Sequence, residues 1–229
     1  MQRFDQWMQQ ALHHPEQGYY ARKINTVGAK GDFSTTATLS PILGKAIAAT
    51  YLEQNAVSHL IEIGAGDGSL AKSILRSLPF FKRLRTHYHI VDSSSPLTSV
   101  QKRKLGGRVH WHTDIKSALK TAGGRAFIFS NELVDAFPVR VFQRSNKTLK
   151  ELHLQGVVEH FLEAVQPEIF SSALSDPELS ENSRIELHQS YYDWLQDWLP
   201  HWKNGQMLTI DYGDTYPEVN YRMPHGTLR

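Results

Sequence analysis

The stretch from Leu60 to Leu70 limits what this chain can fold into more than any other. Leu60-Ile61-Glu62-Ile63 runs apolar into Gly64-Ala65-Gly66-Asp67-Gly68 and then into Ser69-Leu70-Ala71-Lys72. That order reads as strand, glycine turn and helix, with the first helical amides aimed at whatever lies over the turn. The spacing is G-x-G-x-G, so the third glycine that lets a helix pack beneath a pyrophosphate in dinucleotide sites is out of place by one residue. That spacing disfavours a nicotinamide-dependent dehydrogenase. Asp67 within the turn repels a pyrophosphate and suits a neutral or cationic ligand, so the stretch reads as a nucleoside site without phosphates. A tight turn that holds no ligand is the plainer alternative.

His87-Tyr88-His89-Ile90-Val91 is a β-prone run that ends in Asp92. An acid about 20 residues beyond the turn, at the end of the next parallel strand, is placed to hold ribose hydroxyls. Glu62-Ile63-Gly64-Ala65-Gly66-Asp67-Gly68 followed by such an acid resembles the class I S-adenosylmethionine-dependent methyltransferases.

The remaining pattern predicts an α/β fold: a doubly wound, mostly parallel, Rossmann-like sheet with an N-terminal helical segment and a small antiparallel insertion. Phe4, Trp7, Met8 and Leu12 recur at helical spacing up to Pro15, and Ser40-Pro41 opens a helix over 42–54. Strands are expected at 60–63, 87–91, 109–112, 126–130 and 207–210, alternating with helices at 95–105 and 115–121. Such alternation places ligands outside the carboxyl ends of the strands. After Pro138, strand-like pieces at 139–142, 148–154 and 157–161 read as antiparallel, and Arg184 to Leu199 reads as a helix whose Tyr191, Tyr192, Trp194 and Trp198 pack a core. The expected division is a segment 1–57 covering the cofactor site and a core 58–229 with its insertion at about 139–182.

Composition closes off several function classes. There are no cysteines, so disulfides and thiolate metal sites are excluded. The formal charge is +2, and the basic runs 82–85 and 101–104 sit at predicted helix ends, which argues against a nucleic-acid partner. Mean hydropathy is −0.42. No apolar run approaches about 18 residues and the first residues lack a signal-peptide layout, so no membrane partner is expected. The expected location is the cytoplasm, or the mitochondrial matrix where a transit peptide has been removed. The pairs His87/His89 and His110/His112 lack the further ligands a zinc site needs, so no metal is expected.

The expected chemistry sits after the fourth strand, in Asn131-Glu132-Leu133-Val134-Asp135-Ala136-Phe137-Pro138. Methyl transfer is an in-line displacement that needs positioning and at most a base. Glu132 and Asp135 suit a planar guanidinium held bidentately, with a helix cap and a solvated acid as the alternative reading of the same pair. Taken with Pro15-Glu16-Gln17-Gly18-Tyr19-Tyr20, Gly31-Asp32-Phe33 and Ile210-Asp211-Tyr212-Gly213, this loop makes the chain similar to the MidA-type family of protein arginine methyltransferases. Mitochondrial members of that family assist respiratory complex I assembly. Ser94-Ser95-Pro96-Leu97 with Gln101, and Gly226-Thr227-Leu228, match further landmarks.

The resemblance implies S-adenosyl-L-methionine as cofactor, an arginine-bearing protein as substrate, and a homodimer as one open quaternary state. It implies Asn131, Glu132 and Asp135 as catalytic residues. The implied cofactor contacts are Asp32, Phe33, Glu62, Gly64, Ala65, Gly66, Gly68, Asp92 on the ribose, Ser93, Asp114 near the adenine, Ile115 and Asn131. Two departures stand out. Thr36-Ala37-Thr38-Leu39 replaces an Ala-Pro-Glu-type stretch, and the family continues past the position of Arg229, so a fragment or a shortened member is expected. The second function reading is a silent S-adenosylmethionine-binding assembly module.

Overall fold

The computed structural model of the chain describes residues 1–22, 41–54, 57–146, 148–163, 180–215 and 218–228. Among these, the strands in chain order are β1 (Gln2–Arg3), β2 (His59–Ile63), β3 (His87–Val91), β4 (Val109–His112), β5 (Phe127–Asn131), β6 (Arg140–Ser145), β7 (Thr148–Gln155), β8 (Val158–Glu163), β9 (Arg184–Leu187) and β10 (Met207–Ile210). The helices are α1 (Phe4–His13), α2 (Tyr19–Arg22), α3 (Ile42–Glu53), α4 (Ser69–Ser77), α5 (Phe80–Arg85), α6 (Ser95–Leu105), α7 (Ile115–Thr121), α8 (Gln189–Trp198) and α9 (Glu218–Arg222). None is long and apolar enough to cross a membrane.

The chain divides into two compact units. One comprises Tyr19–Asp135 and Leu195–Asp211. Its sheet runs in the order β10-β5-β2-β3-β4, and every neighbouring pair is parallel. The chain leaves β2 in one direction through β3 and β4, then returns to the other side of β2 with β5 and β10. The strand order therefore reverses between β2 and β5, and the crevice for a ligand lies beyond their carboxyl ends.

Both faces of this sheet are covered, which explains why its strands read as nearly continuous apolar runs. Leu60, Tyr88, Ile90, Val109, Phe127 and Phe129 pack on one side with Ile47, Ala48 and Tyr51 of α3 and Leu70, Ala71 and Ile74 of α4. On the opposite side α7 packs against β3 and β4 with Ile115, Ala118 and Leu119 buried. That side also carries a row of imidazoles. His59 Nδ1 lies 2.9 Å from His89 Nε2, and His89 Nδ1 lies 3.0 Å from His112 Nε2. Among the described residues no group of three ligating side chains is arranged to hold a metal.

The second unit comprises Met1–Gly18, Ala136–Trp194 and Tyr212–Arg229. Its antiparallel sheet has β1-β7-β6-β9 as a continuous path, with β8 on β7. Helix α1 lies on this sheet: Met8, Phe4 and Leu12 pack with Val139, Val141, Leu152 and Leu154.

Two sequence expectations are corrected. The helix expected over 184–199 begins only at Gln189, because Arg184–Leu187 pairs antiparallel with β6. Ile185 and Leu187 alternate inward against Phe142, so a buried period of two wins over the helical reading. The fourth core strand extends to Asn131, which pairs in register with Ile210, so Asn131 belongs to the sheet end and not to the loop.

Candidate active site

The glycine turn after β2 has the backbone its sequence demands. Gly64, Gly66 and Gly68 have φ of 71°, 54° and 79°. These are left-handed conformations in which glycine carries no Cβ penalty. A Cβ at Gly64 would stand 3.0 Å from Leu133 Cδ1, so the turn is also pressed against the loop that follows β5. The Gly64 amide donates to Val91 O at 2.9 Å, which extends the β2–β3 ladder into the turn.

Asp67 corrects the electrostatic argument made from the sequence. Its carboxylate accepts from Lys104 Nζ at 2.6 Å, from the Ser69 amide at 2.9 Å and from Ser69 Oγ at 3.0 Å. Burial works against ionisation here, but the Ser69 donors and Lys104 outweigh it and hold the carboxyl below its ordinary range. Asp67 thus answers a lysine of α6 and the first turn of α4, and its charge is spent inside the fold.

Asp92 follows β3, where the sequence expects the ribose ligand. Its Oδ1 accepts the Ser94 amide at 2.9 Å and its Oδ2 accepts Gln101 Nε2 at 2.7 Å. Burial raises its pKa, opposed by these two hydrogen bonds. Ser93 beside it is exposed.

Glu62 is 2% exposed, and its Oε2 accepts the Tyr88 hydroxyl at 2.7 Å. Burial first, then the nearby Asp92 and Asp67 carboxylates, push it up to about 7 against the Tyr88 bond. The Tyr88 hydroxyl, equally buried, is held well above its ordinary value. Glu62 is therefore a buried partner of Tyr88 on the inner face of the sheet.

The loop after β5 begins with Glu132 at φ 51°, an uncommon conformation for a side chain of this type. Its amide donates to Ile210 O at 2.8 Å and its Oε1 accepts Asn131 Nδ2 at 3.3 Å. A single oxygen of Asp211, Oδ2, then accepts three successive amides, those of Leu133, Val134 and Asp135, at 3.1, 2.7 and 3.3 Å. This bends the segment into a short 3-10 turn over Val134–Ala136 and leaves Asp135 exposed. Tyr20 of α2 faces the same acid: burial first, then the Asp135 charge and Tyr19, push its hydroxyl up to about 12.

The structure therefore gathers Gly64, Ala65, Gly66, Gly68, Asp92, Asn131, Glu132 and Asp135 at the carboxyl ends of β2, β3 and β5. Asp114 is exposed, and its Oδ1 caps α7 by accepting the Ser117 amide at 2.8 Å, while Ile115 is buried beneath it. Asp32 and Phe33 lie outside the described residues. Gln101, Asp211, Tyr88 and Tyr20 were not foreseen as site residues. All four stood in stretches quoted above, Tyr20 closing Pro15-Glu16-Gln17-Gly18-Tyr19-Tyr20, Tyr88 in the run 87–91, Gln101 after Ser94-Ser95-Pro96-Leu97 and Asp211 in Ile210-Asp211-Tyr212-Gly213, but a side chain that bonds inward carries no spacing of its own.

Comparison with known proteins agrees with this geometry. Residues 42–229 match the family described as "Putative S-adenosyl-L-methionine-dependent methyltransferase". Two curated relatives are the mitochondrial protein arginine methyltransferases NDUFAF7 of Danio rerio, 26% identical over 179 residues, and of Homo sapiens, 25% identical over 180. Each match covers 64% of this chain but only 42% and 40% of the relative's length. A crystal structure from Burkholderia thailandensis bound to S-adenosyl-homocysteine has the same fold, with a TM-score of 0.81 and 24% identity over 98% of this chain and 62% of that one. A second structure from the same organism aligns with a TM-score of 0.72 and 25% identity, over 94% and 58%. With most of its length matched and its glycine turn set at the reversal of a parallel sheet, this chain belongs to that family of S-adenosyl-L-methionine-dependent methyltransferases.

Proposed function

We propose that the chain binds S-adenosyl-L-methionine over the Gly64–Gly68 turn and transfers its methyl group to a protein, with an arginine side chain as acceptor. The observation that carries the reading is one convergence at the strand-order reversal: a left-handed glycine turn after β2, a half-buried carboxylate after β3, and two carboxylates after β5. Asp92 is suited to accept ribose hydroxyls, since Ser94 donates to one of its oxygens and Gln101 to the other, and a carboxylate oxygen can accept a second hydrogen bond. The cofactor supplies an electrophilic methyl on a sulfonium that leaves as the neutral thioether. Positioning is then the protein's main task, and Glu132 with Asp135 offers the paired negative charge that orients a guanidinium and accepts the proton it sheds. The names of the curated relatives favour arginine over other acceptors.

Calorimetry with S-adenosylmethionine and S-adenosylhomocysteine, followed by transfer of a labelled methyl to arginine-bearing peptides, tests the reading. Asp92→Ala should weaken binding of both by about 1 to 3 kcal/mol while the fold survives. Binding without transfer to any peptide favours the silent module, and absence of binding removes both readings.

A further inference from the structure

Helix α6 is polar over most of its length, yet it buries two side chains, Leu97 and Gln101. Gln101 is 0% exposed and its amide is fully engaged. Nε2 donates to Gly66 O at 2.8 Å and to Asp92 Oδ2 at 2.7 Å, and Oε1 accepts from Trp111 Nε1 at 3.1 Å. An indole N–H can only donate, so Trp111 decides which end of the amide is oxygen and obliges the NH2 end to face the turn and the acid. One side chain thereby ties together the glycine turn after β2, the acid after β3 and the ring on β4.

We propose that Gln101 is a positioning residue for the cofactor pocket: it aims the Asp92 carboxylate at the ribose and locks it in register with the Gly66 peptide. This rests on the reading of Asp92 as the ribose ligand. A glutamine that only filled space would leave Asp92 indifferent to its removal. Here the amide supplies a donor to a carboxylate that burial otherwise disfavours as an anion, so removing the amide turns the acid toward its neutral form, a poorer acceptor for two hydroxyls.

The test uses the full chain and two readouts. In the ligand-free protein, a carbon NMR titration of the Asp92 carboxyl should move its midpoint upward by about one pH unit in Gln101→Met. S-adenosylhomocysteine affinity at neutral pH should fall about tenfold in the same variant, with little further loss when Gln101→Met is added to Asp92→Ala. Trp111→Phe, which frees the amide to turn over while keeping an aromatic ring, should shift the carboxyl midpoint in the same direction by less, and it serves if Gln101→Met does not fold. An unmoved Asp92 midpoint, or an equal loss of affinity in the Asp92→Ala background, overturns the positioning role. A moved midpoint in a protein whose parent binds no S-adenosylhomocysteine instead overturns the ribose assignment on which the role depends.

Discussion

The amide of Val134 stands 2.7 Å from Oδ2 of Asp211, and that oxygen also takes the amides on either side of it. The end of β10 is thus fastened to the loop that carries Glu132 and Asp135. Asp211→Ala should free three donors and cost about 1 to 3 kcal/mol of stability, read by urea denaturation. Methyl transfer should fall about tenfold or more, while S-adenosylhomocysteine affinity changes little because the glycine turn and Asp92 are untouched. Equal losses in binding and turnover would show that the anchor serves the whole pocket.

Glu132 offers a separation of charge from conformation. Glu132→Gln keeps the side-chain size and should lower transfer to arginine peptides at least about tenfold, with cofactor affinity preserved. Glu132→Gly, at φ 51°, relieves a left-handed residue and should leave stability equal or higher by about 1 kcal/mol while abolishing transfer. A parental rate in Glu132→Gln refutes the guanidinium clamp.

Two buried groups give the fold opposite responses to pH. Glu62 is raised from 4.5 to about 7, so between these values the folded state holds a proton that the unfolded chain has released, and stability falls as pH rises. His89 is lowered from 6.5 to about 3 by burial and by the neighbouring imidazoles, so across that window the unfolded chain holds the extra proton, and stability falls as pH drops. Between 4.5 and 6.5 the two slopes oppose each other. Glu62→Gln should therefore be more stable than the parent above pH 7, by on the order of 3 kcal/mol, and should lose that advantage steadily toward pH 4.5. Thermal melts of both proteins across this range check it, and a constant difference in stability would contradict it.

Gly66→Val places a β-branched residue at φ 54° in the turn and should abolish cofactor binding. Thermal shift with S-adenosylhomocysteine is the measurement, and a retained shift would remove the turn from the pocket.

The parallel sheet was legible because burial on both faces writes itself into sequence as short apolar runs, and because only glycine tolerates the turn at 64–68. The placement of Asp92 followed from an acid at the end of the β-prone run 87–91, about 20 residues beyond the turn. What escaped notice was set by tertiary contacts. Arg184–Leu187 alternates charged and apolar residues as a strand does, but four residues running straight into the helical stretch from Gln189 are too short a signal to separate from it until they pair with β6. Asp67 looked like a ligand-facing acid because Lys104, 37 residues away, could not be seen to reach it. Gln101 and Asp211 bond to backbone groups, and the partner of a peptide amide or carbonyl leaves no residue type to search for.

Helix α6 grips the turn at two adjacent residues: Gln101 holds the carbonyl of Gly66 and Lys104 holds the carboxylate of Asp67. The side chains lie three residues apart, so they leave the helix on one face and act as a pair of fingers. The turn therefore cannot shift without straining α6, nor α6 unwind without slackening the turn. Slower hydrogen exchange along Ser95–Leu105 would then be a sign of an occupied nucleoside pocket, visible in a helix that need not touch the ligand at all.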